Sequence, residues 1–150
     1  MENKLEILKI VYTQQHTISQ KILDKISSTT TWVIGILLII DGSLVTEFTN
    51  ISTYNKFLIA ILIVALCVAT IYLLKSKYNE FSAVAKLILR VEEAMHLYEP
   101  DFFIPGKTLF PQDYKCLGDD NYEHSQKLLY SNIYLVLTFG VLSLVIIFIT

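Results

Sequence analysis

GILLIIDGSLVTEF, residues 35–48, is an apolar run with an acid, Asp41, in its middle, followed at once by Gly42 and Ser43. If the run begins at Thr30, Asp41 lies about 16 Å along a helix, near the centre of a hydrocarbon layer about 30 Å thick. A charge there costs about 2.5 to 3.5 kcal/mol on insertion scales, so such a residue faces a bundle interior or water. Three readings follow. Asp41 lines a water-filled or ion-conducting path; or it is a neutral interior group hydrogen-bonded to Ser43, Thr70, Tyr72 or Thr138; or the span is shifted and the acid lies shallower. Asp41, Ser43, Thr70 and Thr138 are thus the candidate pore-lining or interior polar residues. Gly35 and Gly42, seven apart on one face, would permit close approach of another helix. Glu47 falls at the outer boundary of the run.

The rest of the chain places this run in a membrane. Of 150 residues, 53% are hydrophobic, and the mean hydropathy is +0.52. Soluble domains reach about 45 to 50% apolar residues with glycine counted. A net charge of -2 excludes a strongly basic nucleic-acid binder on composition. Two cysteines, Cys67 in an apolar run and Cys116 in a polar loop, allow neither a disulfide framework nor a multi-cysteine metal site. Both are expected as free thiols. The first residues, MENKLEILKIVYTQQHTISQK, contain no signal-peptide core or cleavage site and read as mature sequence.

Three stretches are long enough to span: 30–48, 57–74 and 129–149. Lys4, Lys9, Lys21 and Lys25 precede the first, and only Lys56 separates the first two. Lys75, Lys77, Lys86, Arg90, Lys107, Lys115 and Lys127 lie between the second and third. The positive-inside rule then places the N-terminus in the cytoplasm and the C-terminus outside, in a cell inner membrane. The outer hairpin TNISTYN contains the sequon Asn50-Ile51-Ser52, a poor glycosylation acceptor so close to a bilayer.

Beyond the second span the helical pattern continues. Phe81, Val84, Ile88, Val91, Met95 and Tyr98 alternate at three and four residues, a heptad seam. With no Pro or Gly from Asn50 to Glu99, one helix of about 40 residues and 60 Å runs inward until Pro100 ends it. The seam serves oligomerisation of this stalk, or it binds the subunit's own N-terminal helix, whose stripe is Leu5, Leu8, Tyr12, Ile22 and Ile26. From 100 to 126 all three prolines occur, with Phe102, Phe103, Phe110, Tyr114 and Tyr122. So long a connector is expected to be functional or packed on the helices.

The fold expected is all-α: a polytopic membrane protein with three transmembrane helices, an N-terminal amphipathic helix over 1–29 and a hairpin over 30–74. A cytoplasmic stalk and aromatic loop occupy 75–128, and the third transmembrane helix 129–150.

Soluble chemistry finds little support. Glu93-Ala-Met-His96 is one Glu-x-x-His half-motif of a di-iron bundle without its second copy. His16 and His124 are isolated, so no metal and no cofactor is expected. Gly-rich phosphate loops, nucleophile elbows and Ser/His/Asp sets are lacking. In RVEEAMH, Arg90 and His96 resemble the R-x(4-6)-H signature of HEPN ribonucleases, which cut RNA at a dimer interface. Six residues apart on a helix, the two point about 120° from each other. The plain alternative is Arg90 paired with Glu92 or Glu93.

The layout over about residues 10–98, with Arg90 and His96, resembles small prokaryotic membrane effectors of antiviral defence. These are the SLATT class and the membrane accessory protein of some RNA-targeting CRISPR systems. The resemblance implies self-association into a ring-shaped pore, depolarisation of the host membrane, contact with lipids and a defence-system protein partner, and no direct nucleic-acid binding. The third span departs from a two-span plan. The leading expectation is therefore a non-enzymatic, homo-oligomeric inner-membrane pore. A membrane-tethered ribonuclease and a non-catalytic accessory subunit of another membrane protein are the alternatives.

Overall fold

The computed structural model describes residues 2–47, 52–111 and 123–149. Asn50 and Ile51 of the sequon, Cys116, Tyr114, Tyr122, and the side chains of Glu47 and His124 lie outside the described residues. Three helices make up the architecture: α1 (Glu2–Glu47), α2 (Thr53–Ala94) and α3 (Glu123–Ile149). Each contains a stretch long and apolar enough to cross a membrane, which marks a multi-pass membrane protein. The described residues are all-α, apart from one isolated bridge between Ile104 and Lys107.

The amphipathic helix expected over 1–29 and the span from Thr30 are one helix. Polar Ser27 to Thr31 does not break it, because the hydroxyls of Thr29, Thr30 and Thr31 donate to the carbonyls of Lys25, Ile26 and Ser27 at 2.7, 3.1 and 3.0 Å. Side-chain bonds of this i to i−4 kind keep a threonine inside a helix instead of capping it. Contacts divide the chain into two compact units, Met1–Asp24 with Lys77–Lys127, and Lys25–Ser76 with Leu128–Thr150.

In the first unit Leu8, Tyr12, Gln15, Ser19 and Ile22 of α1 are half-buried. Gln15 and Ser19 bridge the gap that the apolar stripe leaves between Tyr12 and Ile22. Leu5 is in phase but exposed, since it sits in the first turn of α1. The stalk residues Phe81, Val84, Ile88, Val91 and Met95 are half-buried within the single chain, and Tyr98 is buried.

Helix α2 stops at Ala94, five residues before the expected end. The reason is a paired C-terminal cap: the Leu97 N–H donates to the Glu92 carbonyl at 3.2 Å and the His96 N–H to the Glu93 carbonyl at 3.0 Å. His96 takes the left-handed conformation, φ +59°, that the cap requires. The turn brings Leu97 and Tyr98 inward to 8% and 4% exposure. Phe110 then ties the following loop back by donating its N–H to the Leu97 carbonyl at 3.0 Å and by an edge-on contact with Tyr98. The Asp101 carboxylate accepts the Gly106 N–H.

In the second unit each helix presents one narrow face to the other two. On α1 it is Ile26, Thr30, Val33, Leu37, Asp41 and Leu44; on α2, Ala60, Ile63, Cys67, Thr70 and Leu74; on α3, Leu129, Val136, Ser143 and Ile147. The α2 face keeps the three-and-four alternation of the stalk, through half-buried Lys77. The seam therefore starts near Ala60, and it was hidden in the sequence by the uniformly apolar span. Many of the other residues in these stretches face outward, including Trp32, Ile39, Leu62, Tyr72 and Tyr134. Helices apolar all round are suited to lipid.

In lipid the apolar surface of the helices supplies no drive to associate, so close backbone approach must hold them together. Gly140 provides it, since a Cβ built there would lie 2.6 Å from Cys67 Sγ. Gly35 and Gly42, expected to allow such an approach, have nothing within 4 Å of a Cβ. Both lie off the inward face of α1 and so meet no helix. Phe57 at the start of α2 meets Phe148 near the end of α3, ring centroids 6.0 Å apart, so these two helices run antiparallel.

Candidate functional site

Asp41 lies on the inward face of α1 between Leu37 and Leu44, one helical turn on either side, and is 5% exposed. Its partner is Ser143 of α3, whose hydroxyl lies 2.9 Å from Asp41 Oδ2. The same hydroxyl is 3.0 Å from the Phe139 carbonyl. A serine has one proton to donate, so these two acceptors share it. Asp41 Oδ1 is buried with no hydrogen-bond partner among the described residues. Ser143 itself is fully enclosed.

Of the partners the sequence offered, none is the one used. Ser43 is exposed and borders an apolar groove of about 500 Å³ between α1 and α2. Tyr72 is 75% exposed. Thr138 is exposed and donates to the Tyr134 carbonyl at 2.8 Å. Thr70 is buried, yet its hydroxyl is used by the Leu66 carbonyl of its own helix at 2.7 Å. A signal for Ser143 was present. Leu129, Val136 and Ser143 are seven apart and define the buried face of α3, whereas Thr138 is out of phase with them.

The site is isolated. Leu37, Val136, Ile63 and Ile147 of the same core are 0–1% exposed, so Asp41 and Ser143 sit in a mostly apolar described core whose other buried hydroxyls are those of Thr30 and Thr70. Asp41 faces its own protomer's core and not the outer surface of α1.

A second buried acid, Glu92, sits in the first unit at 8% exposure. The Tyr98 hydroxyl donates to Glu92 Oε2 at 2.5 Å, and the Glu92 charge also acts on the Tyr12 hydroxyl of α1. Burial, then the hydrogen bond to Glu92 and its negative charge, push the Tyr98 hydroxyl well above the usual phenol range. Tyr12 is raised too, by burial first and then by Glu92. Glu92 is thus engaged by Tyr98 and is not the Arg90 partner that helical spacing offered beside Glu93.

Arg90 is exposed on α2, while His96 stands outside the helix in the cap. Its Nδ1 lies 2.7 Å from Glu99 Oε1, and its ring stacks on Phe102 with centroids 4.8 Å apart. The helical frame on which the Arg90–His96 spacing was read therefore ends before His96. Among the described residues no group of three His, Cys, Asp or Glu side chains could hold a metal ion.

Comparison of the chain with protein-family models, curated proteins and solved structures gives no match.

Proposed function

We propose that the protein is a non-enzymatic, self-associating inner-membrane protein that alters the permeability of the membrane it spans, as an effector of antiviral defence acting on membrane potential. In this reading the N-terminus is cytoplasmic, the first unit is a cytoplasmic stalk and the second unit lies in the bilayer. The observation that carries it is Asp41, an acid closed into the apolar core with one oxygen unpartnered among the described residues. An ionisable residue at this depth is costly and characteristic of ion and proton pathways. The packed bundle is then the closed state. Opening exchanges the Asp41–Ser143 contact for water and presents the carboxyl to a path shared by several copies.

Expression in bacterial cells with a potential-sensitive dye tests this. The wild-type chain collapses the potential, and Asp41→Asn reduces the effect at least about 10-fold at equal membrane abundance, equivalent to about 1.4 kcal/mol. Equal depolarisation by both chains removes the proposal.

A second reading, an accessory subunit, draws on the 100–111 loop. Its backbone is fixed by Asp101, Gly106 and Phe110, yet Phe102, Phe103 and Leu109 are 43–54% exposed. Such a held apolar surface suits a protein partner. The particle mass in detergent separates the two, a defined ring against a single subunit.

A further inference from the structure

We infer that the Asp41–Ser143 pair is a binding site for one monovalent cation, a proton or a sodium ion, whose occupancy closes the bundle. The inference rests on the proposed role of the closed state and names what holds it. Oδ1 of Asp41 is fully buried without a partner among the described residues, and Oδ2 has only a hydroxyl that is shared with the Phe139 carbonyl. A carboxyl so placed lacks a counter-charge. No Lys, Arg or His occurs on the buried faces: α2 contributes Ala60, Ile63 and Cys67 near it, and α3 contributes Val136, Gly140 and Ile147. The described lysines of this unit are exposed Lys25 and Lys75 and half-buried Lys56, the last in the first turn of α2. Cys67 is the one other titratable group on these faces, and it is uncharged as a thiol.

Water would satisfy the free oxygen but would not neutralise it. A divalent ion would leave one positive charge over against a single carboxylate, in a core whose other buried side chains carry no charge. A single positive charge of small size balances Asp41. Because the cation is held by the closed bundle and not by the separated helices, its binding must stabilise the closed form by mass action.

The test uses the full chain in detergent, with melting followed across mildly acid to mildly alkaline pH, and with sodium chloride exchanged for choline chloride at constant ionic strength. The wild-type melting temperature should rise with proton or sodium concentration, and Asp41→Asn should lose that dependence. A response to pH alone identifies the proton, and a response to sodium at fixed alkaline pH identifies sodium. Ser143→Ala, which removes the hydroxyl beside Asp41 Oδ2, should shift the half-saturating concentration by about 10-fold. Equal cation dependence in wild type and Asp41→Asn overturns the inference, as does an unshifted midpoint in Ser143→Ala. Cation linkage without any depolarisation leaves the site standing and removes the permeability role. Depolarisation lost in Asp41→Asn without linkage does the reverse.

Discussion

Among the described residues two carboxyl groups are buried, Glu92 in one unit and Asp41 in the other, and their surroundings differ. Glu92 accepts the Tyr98 hydroxyl, and its charge reaches Tyr12 of α1. Asp41 receives part of one serine hydroxyl and keeps an oxygen with no partner among the described residues. A buried polar group that is matched adds specificity and stability, whereas an unmatched one carries its full desolvation penalty. The difference makes Glu92 a group that supports the fold and leaves Asp41 an unmatched acid.

Leucine at each position probes the contrast most strongly. Glu92→Leu leaves the buried Tyr98 hydroxyl stranded and should cost about 3 kcal/mol of stability. Asp41→Leu removes an unmatched acid and should stay within about 1 kcal/mol of wild type, or stabilise. Chemical denaturation in detergent measures both, and equal losses would erase the distinction.

The next effect concerns what holds the second unit when its acid does not. Gly140→Leu forces α3 away from Cys67 and should cost about 2 kcal/mol, read as a lower melting temperature. Gly140→Ala should be nearly silent, because the Cys67 sulfur can turn aside. A silent leucine would mean that α2 and α3 are held by other contacts.

Tyr98→Phe removes the hydroxyl that donates to Glu92 and should cost about 1 kcal/mol at neutral pH. It should also change the alkaline limb of the stability curve. The folded chain keeps the Tyr98 proton above the pH at which the unfolded chain releases it. Stability is therefore whole below about pH 10 and is lost as pH climbs toward the raised value of the folded state. In Tyr98→Phe that fall should be shallower, in a pH-melting series. An unchanged alkaline limb would assign it to other groups.

The smallest effect separates cap from chemistry. His96 holds φ +59°, a conformation that favours glycine by a few tenths to about 1 kcal/mol. His96→Gly should be neutral or stabilise by about 0.5 kcal/mol, since relief of that strain offsets the lost contacts with Glu99 and Phe102. A loss above about 1 kcal/mol in the melting series would make the ring contacts the reason for a histidine there.

The helices themselves were legible. Runs such as 57–74, without charge, glycine or proline, leave no alternative to a long apolar helix, and the residues that alternate from Phe81 to Tyr98 are half-buried or buried in the first unit. Asp41 stood out because one charge in such a run is conspicuous. Its partner did not, because the spans are apolar on every side and their inward phase is faint. Ser143 and Gly140 could be found only by extending the seven-residue spacing from Leu129 and Val136, and glycines at 35 and 42 drew attention to the wrong face. Glu92 was masked by Arg90 and Glu93 beside it, local partners that helical spacing always offers.

Composition and local periodicity by themselves determined that this is a three-helix chain with long apolar spans, because hydrophobicity and the absence of helix breakers act along the chain and need no neighbour. Which side of each helix faces inward, that Asp41 meets Ser143 while Glu92 meets Tyr98, and that α2 turns at His96, only the tertiary structure decided. Those outcomes depend on which residues, more than a hundred apart in the case of Asp41 and Ser143, reach the same few ångströms when the helices close.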